Sequence, residues 1–546
     1  MTPSALKEQK YHTRGLSKSN VTILLCLIIF IAAFLRLYYL PEPSFSSDDI
    51  RSIEKGEKVS IGNIVKAVKR GHPSISFIIL HYWTQIAGRS EFALRLPAAI
   101  FGILSVFALF KLASLIFDNK TALIGALLLA VNPEHFFCSF ALKQYTLTLL
   151  LALTSLYLLL MTLRGRRIVF WIAFVICNVV LLFTHKSAIF VILTEIVYIA
   201  IVYRKYKYSW QIFLSIGVIF LILIALFFLQ KRYLQIFSAP RWIAMPTLET
   251  FLNVLSSFIA GLSFRKIQGL DVDVLPLPAK IGIFAFFSFF LLLGIFKYFW
   301  RQITSDEPQP LIKSGASDGY KSLIYTWATI PILSAYAISF LFWPTFGPTR
   351  YHLFWSCSIL LLIARGIAAI GKLRFIYPVL FIAICTHLFP ILTKESTLRG
   401  LNWKDIANYL RENISDGETV HFLSFHRSFS RKKLWNAASE GETTQVIPSD
   451  VNSLPLRYYY KGDIYIGIER ITPFVRGRWA KGTFLIEVGE SVLTSRATKR
   501  FDINMLYAKL YANKDAKQFY NIKVTHYWNP KRAVNQKSGE VRRLRR

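Results

Sequence analysis

Apolar runs close to 20 residues long recur throughout this chain, and they limit its fold more than any other feature. Residues 21–40, 92–110, 121–138, 145–163, 168–184, 211–229, 281–296 and 352–364 all read this way. A helix of about 20 apolar residues covers the ~30 Å hydrocarbon core of a bilayer. In lipid a helix satisfies its own backbone polar groups, which an open strand cannot do. Further runs at 187–203, 323–343 and 374–391 bring the expected total to about eleven spans. The predicted fold class is therefore an all-α polytopic membrane protein, with a C-terminal soluble domain.

The formal net charge is +34 over 546 residues. An excess of this size first suggests nucleic acid. Here many of the basic residues sit in short loops between apolar runs, where they set orientation and meet anionic lipid. Membrane lipids are the expected partner, and no nucleic acid is expected. The five cysteines, Cys26, Cys138, Cys177, Cys357 and Cys385, lie in or beside apolar runs without zinc spacing. They read as buried structural thiols. The first run is too long for a cleavable signal and is expected to remain as an anchor.

Lys7, Lys10, Arg14 and Lys18 precede the first span and place the N-terminus on the cytoplasmic side. The segment 72–87, HPSISFIILHYWTQIA, decides the rest. If it lies at the outer interface, Lys111, Lys120, Arg164, Arg166, Arg167, Arg204, Lys205, Lys207, Lys372 and Arg374 fall inside. Lys143, Lys186 and Arg350 then fall outside. If it crosses, that bias inverts. An interfacial helix is the better reading. Residues 231–280 then form a long outer loop, residues 301–321 a cytoplasmic linker, and residues 392–546 an outer domain. Within that domain LNWKDIANYLREN (401–413) has helical periodicity, while SDGETVHFLSF (415–425) and KGDIYIGI (461–468) read as strands. The domain is expected to be α/β, with a basic tail at 531–546.

Adjacent carboxylates, Asp48 and Asp49, follow the first span in PEPSFSSDDIRS. Two neighbouring acids stay ionised only beside a cation, a metal or open water. A plain helix N-cap at Ser47 or Asp48 is an equally simple use of these residues. The expected topology brings other polar groups to the same face. These are His72, Glu91, Arg95, Glu134, His135, Lys143, Tyr145, His185, Lys186, Arg350, Tyr351 and His352. Ionisable residues at membrane depth are costly and mark function by default. Each has a bland use, such as snorkelling for Lys143 and Lys186 or pairing with Glu91 for Arg95. Their convergence opposite a carboxylate pair is the stronger signal. Carboxylates and cations at a membrane surface suit a sugar carried on a lipid phosphate. An acid group takes a proton from an acceptor hydroxyl, and cations stabilise the departing phosphate.

Several pieces, in order, resemble GT-C membrane glycosyltransferases, in the branch related to protein O-mannosyltransferases and the lipid A aminoarabinose transferase. They are FLRLYYL, the Asp48–Asp49 pair, GHPSISFIILHYW, SEFALRLPAAIFGILSV, NPEHFFCSFALKQYTLTLLLAL, THKSAIFVI, TRYHLF and LNWKDIANYLREN. The resemblance implies a transmembrane module over 1–391 whose first outer loop, 41–91, carries the active site. It implies Asp48 as catalytic base and Asp49 as a supporting or metal-facing acid, with Mg or Mn as a possible divalent cation. His72, Arg95, Lys143, Tyr145, His185, Lys186, Arg350 and Tyr351 would line the substrate and lipid-phosphate site. The donor would be a polyprenyl-phosphate sugar, and the acceptor an envelope glycan, lipid or protein hydroxyl at the outer face of the cytoplasmic membrane. The family usually has Asp-Glu and Arg where this chain has Asp48-Asp49 and Lys143. A lipid-linked glycan polymerase or ligase, a lipid-sugar flippase and an inactive scaffold of the same fold are the alternatives. A flippase would show inverted repeats and broken helices at mid-membrane, and the sequence shows neither.

Overall fold

The computed structural model describes residues 17–41, 43–60, 75–164, 167–202, 209–229, 245–260, 276–304, 317–341, 344–346, 349–370, 373–400 and 403–414. It also describes five strands between 419 and 528. His72, much of the linker at 301–321 and the tail at 531–546 lie outside these residues.

The chain opens with α1 (Lys18–Tyr39), α2 (Ser47–Glu57), α3 (Ile75–Ala87), α4 (Glu91–Ile116), α5 (Asn119–Val131) and α6 (Pro133–Cys138). It continues with α7 (Tyr145–Arg164), α8 (Ile168–Leu182), α9 (Ala188–Val202), α10 (Ser209–Leu229) and α11 (Leu248–Ala260). Next come α12 (Leu277–Thr304), α13 (Ser317–Leu341), α14 (Leu353–Ala369), α15 (Leu373–Gly400) and α16 (Trp403–Asn413). Each expected span overlaps helix among the described residues. Among the described residues, five helical stretches, Lys18–Tyr39, Glu91–Ile116, Tyr145–Arg164, Leu277–Phe296 and Ser322–Leu341, are long and apolar enough to cross a membrane.

The bundle turns large apolar side chains outward and charges inward. On α1, Ile23, Leu27, Phe30, Phe34 and Tyr38 are exposed at helical spacing, while Arg36 on the same helix is fully buried. Water would penalise such a surface, whereas hydrocarbon accepts it. Where α12 crosses α14, a Cβ on Gly294 would overlap the Leu362 carbonyl and one on Gly366 would overlap the Phe290 carbonyl. Small residues permit this backbone approach, which is how helices pack tightly in lipid.

Three details differ from the sequence expectation. The third span is broken: α5 stops at Val131, and Asn132 caps α6 by accepting a hydrogen bond from the His135 N–H. Pro133, at the first position of α6, has no N–H to continue the helix. The stretch 231–280, expected as a long outer loop, contains helix α11. Its buried Val254, Phe258 and Ile259 pack into the main core, and Asn132 Nδ2 donates to the Phe258 carbonyl at 3.0 Å. Of the five cysteines, Cys26 and Cys385 are exposed rather than buried.

The segment 75–87 is a single helix of 13 residues, about 20 Å long. It packs on α2 and α4. Beyond α16, strands β1 (Thr419–Leu423), β2 (Ile464–Ile466), β3 (Gly482–Val488), β4 (Asn513–Phe519) and β5 (Ile522–Trp528) form a mixed sheet in the order β2-β1-β3-β5-β4. β1 runs parallel to both β2 and β3, whereas β5 is antiparallel to β3 and β4. Both strands expected from the sequence, at 415–425 and 461–468, fall in this sheet as β1 and β2.

Candidate active site

The site is built where the first loop, the turn after α6, the turn between α8 and α9, and the start of α14 meet. Ser46 begins α2 with a reciprocal capping box. Its hydroxyl accepts from the Asp49 N–H (3.2 Å), and its own N–H donates to Asp49 Oδ2 (3.0 Å). The second oxygen of Asp49 accepts from the Leu142 N–H at 2.8 Å. Asp49 is buried, and both of its oxygens are engaged in joining α2 to the turn after α6. Asp48, one residue earlier, is the open member of the pair. Its side chain is 61% exposed, and Lys143 Nζ lies 3.6 Å from its Oδ1. The same turn therefore supplies the backbone donor for Asp49 and the cation for Asp48.

Helix α2 carries Asp48, Arg51 and Lys55 along one face, at spacings of three and four residues. Partial burial, with Lys143 and Arg51 nearby, pushes the Lys55 ammonium below the usual lysine range; Asp48 opposes the shift. Lys55 also lies over the Phe77 ring, 5.3 Å from its centroid. Sequence reasoning gave Lys55 no role, although the i, i+3, i+7 spacing from Asp48 was visible.

Beside this carboxylate–cation group stand the rings of Tyr145, His185 and Tyr351. Their centroids are separated by 6.1 Å (Tyr145–His185), 6.1 Å (Tyr145–Tyr351) and 5.3 Å (His185–Tyr351). The Arg350 guanidinium lies 5.4 Å from the Tyr351 ring centroid. Together they border a cleft with ≈ 410 Å³ of open space, counting its mouth, with Thr148, Ser187 and His352 also in its wall. His185 Nδ1 accepts from the Ser187 N–H at 3.1 Å, which leaves Nε2 as the protonated nitrogen. Burial, and secondarily Lys186, pushes the His185 imidazole down to about 4, so it is neutral near pH 7. Burial also lowers the Lys186 ammonium. Tyr145 links the two halves, within electrostatic reach of both Arg350 and Asp48.

Arg95 is placed differently from the rest. It is buried, and its guanidinium donates to the carbonyls of Leu40 (3.1 Å), Pro43 (2.7 Å) and Ser44 (3.2 Å). Its role there is to hold the entry to the first loop. Glu91 pairs with Lys404 at 2.9 Å. His72 lies outside the described residues, but helix α3 starts three residues later, and its Ile75 N–H donates to the Phe183 carbonyl (3.2 Å).

Two further groups support the site: Arg36, which the sequence reading did not single out, and Glu134, which it grouped with the other polar residues of the same face. Arg36, within FLRLYYL, donates to Ser139 Oγ (3.1 Å), the Ala32 and Ala130 carbonyls (3.0 Å each) and His135 Nδ1 (2.8 Å). It thereby fixes the break between α5 and α6. Gly102 leaves the room, because a Cβ there would meet Ser139 Oγ at 2.5 Å and Arg36 Nε at 3.3 Å. Glu134 accepts from Ser257 Oγ and from Thr349 Oγ1 (2.9 Å), which ties α6 to the residue before Arg350. An arginine inside an apolar run was the available signal for Arg36. Glu134 was grouped with the site by topology, but its partners, more than 100 residues away, were not legible in the sequence.

Both oxygens of Asp49 already accept hydrogen bonds from Ser46 and Leu142, so a divalent cation at the acid pair would be met chiefly by the exposed Asp48. Among the described residues no group of three His, Cys, Asp or Glu side chains is arranged to hold a metal.

Residues 71–228 match the family of dolichyl-phosphate-mannose-protein mannosyltransferases. The match covers less than a third of the chain, includes Lys143, Tyr145 and His185, and agrees with the GT-C resemblance read from the sequence. The structure is similar to that of ArnT from Cupriavidus metallidurans bound to undecaprenyl phosphate. The identity is 12%, the similarity covers 93% of this chain and 98% of that one, and the TM-score is 0.48. It is also similar to the apo oligosaccharyltransferase of Archaeoglobus fulgidus, at 14% identity with a TM-score of 0.42 over 75% of this chain. The chain spans only 63% of that oligosaccharyltransferase. No curated protein sequence matches it.

Proposed function

We propose that this chain is an inverting GT-C glycosyltransferase. It moves a sugar from a polyprenyl-phosphate carrier to an acceptor hydroxyl at the outer face of the cytoplasmic membrane. The observation that carries the reading is the exposed Asp48 carboxylate beside Lys143, next to a cleft bordered by Tyr145, His185, Arg350 and Tyr351. In this reading Asp48 accepts the proton of the acceptor hydroxyl. The hydroxyl oxygen attacks the anomeric carbon as the bond from that carbon to the phosphate oxygen breaks. The phosphate leaves with the electron pair, and attack from the opposite face inverts the centre.

Lys143, Lys55, Lys186 and Arg350 supply positive charge for the departing phosphate. His185 Nε2–H and the tyrosine hydroxyls donate neutral hydrogen bonds in the same cleft. Asp49 positions Asp48 through Ser46 and Leu142. The N-terminus is cytoplasmic and residues 392–546 form an outer domain, in line with the distribution of Lys and Arg among the short loops.

The test is sugar transfer by the full chain reconstituted in liposomes with a radiolabelled native lipid extract. Label moving from the lipid fraction to an envelope glycan, lipid or protein supports the reading and identifies the acceptor class. Label crossing the bilayer unchanged, with no transfer, would replace it with the flippase reading.

A further inference from the structure

The base of the Asp48 loop is held from two sides, by Arg95 and by a residue 360 positions beyond Ser44. Residues 43–46 contain no helix or strand, so interactions with other segments must fix their course. On one side Arg95 grips the carbonyls of Leu40, Pro43 and Ser44 and stacks on Phe45, 4.8 Å from the ring centroid. On the other, Lys404 Nζ donates to the Pro41 carbonyl (3.3 Å) while pairing with Glu91 Oε1 (2.9 Å). The Lys404 backbone N–H donates to Ser44 Oγ at 3.3 Å.

The placement of Lys404 is informative. It is the second residue of α16, where the helix dipole disfavours a cation. Its backbone N–H is one of the first-turn donors that no helical carbonyl can satisfy. Ser44 accepts from that N–H in trans, and Glu91 with the Pro41 carbonyl offsets the charge. Buried Trp403, Ile406, Ala407 and Leu410 anchor the helix itself. Phe45 then carries the constraint forward. It packs with Ile50, Ile53, Leu80, Leu94 and Leu142, the cluster beneath Asp48 and the Lys143 turn.

We propose that Lys404 is a positioning residue for the Asp48 carboxylate, so that α16 is part of the catalytic apparatus. The catalytic aspect rests on the reading of Asp48 as the base; the mechanical aspect does not. Loss of the clamp lets the loop sample positions in which Asp48 is displaced, and a displacement of about 1 Å can cost about 100-fold in rate.

The experiment compares wild type, Lys404→Met, Lys404→Arg and Ser44→Ala, each as the full chain in detergent micelles. Amide exchange is followed by mass spectrometry, and transfer from labelled lipid extract is measured in parallel. In Lys404→Met, peptides covering 43–52 and Leu142 should exchange about 10-fold faster, while those of α7 and α14 stay unchanged. Ser44→Ala should give a smaller change in the same peptides, and Lys404→Arg should restore most of the protection. The kcat for transfer should fall about 10- to 100-fold, with the donor KM changing less than about 2-fold. Unchanged exchange at 43–52 overturns the proposal, as does a uniform rise across the bundle, which marks general destabilisation. Local exchange gain with unchanged kcat also overturns the catalytic role. If wild type transfers nothing, the glycosyltransferase reading fails by itself, and the exchange pattern still decides whether Lys404 holds the loop.

Discussion

Lys143 Nζ lies 3.6 Å from Asp48 Oδ1, across an approach left open to solvent by an otherwise buried turn. The lysine side chain is 16% exposed and the aspartate 61%. A cation so placed pairs with the acid and remains at hand when a phosphate arrives. Replacing Lys143 with Met should therefore slow transfer by about 10- to 100-fold, as for loss of one electrostatic stabiliser. Lys143→Arg should retain most of the rate. Steady-state kinetics on the two variants checks this, and equal loss in both would contradict it.

Asp49 and Asp48 should separate cleanly by substitution. Asp49→Ala removes the reciprocal half of the capping box and leaves the Ser46 and Leu142 N–H groups without this acceptor. The expected cost is about 1 kcal/mol for the broken box and about 1–3 kcal/mol for the orphaned Leu142 donor. Thermal unfolding of the purified chain should show a lower Tm for Asp49→Ala and an unchanged Tm for Asp48→Asn. A Tm loss of the same size in both would mean that the exposed acid is also structural.

The crossing of α12 and α14 offers a test of the bundle itself. Gly366→Ala and Gly294→Ala each place a methyl group where the partner helix has a backbone carbonyl. Because backbone cannot move aside as a side chain can, each should destabilise by about 1–3 kcal/mol or more. Gly282→Ala on the same helix has no atom within 4 Å of the new Cβ and should be near neutral. Comparable losses for Gly282 and Gly294 would argue against the crossing.

His185 makes stability depend on acid. Its imidazole titrates near 4 in the folded protein, against an ordinary value of 6.5. The unfolded chain therefore binds the proton first as pH falls. The contribution is fully present above pH 6.5, declines between pH 6.5 and 4, and is level below that, with a ceiling of roughly 3 kcal/mol. His185→Gln should flatten the dependence of Tm on pH across this window. An unchanged slope would show that other groups cause the acid loss.

Much of this arrangement was legible in the sequence because lipid imposes a simple length rule. The expected apolar runs overlap helix among the described residues, and the two strands expected after α16 lie in the sheet. The break at Asn132–Pro133 was written in the residues, yet the apolar run continued through it and hid the stop. Helix α11 was missed because its LETFLNVLSSFIA pattern lies in a stretch read as loop between longer runs. At the site, the grouping of Asp48, Lys143, Tyr145, His185, Arg350 and Tyr351 followed from topology, since successive turns at one end of a bundle must lie close together. The distinct tasks of Asp48, Asp49 and Arg95 did not follow. They depend on which backbone groups each side chain meets, and partners such as Leu142 and Pro43 are set by packing, not by spacing.

The central claim is that Asp48 is the base for sugar transfer. It is tested most directly by comparing wild type with Asp48→Asn in membranes matched for the amount of protein, supplied with radiolabelled native lipid extract. The account predicts transfer by wild type and a loss of at least about 100-fold in Asp48→Asn, with the variant folded and inserted as before. Equal labelling by the two would contradict it and leave Asp48 as a surface charge at the start of α2.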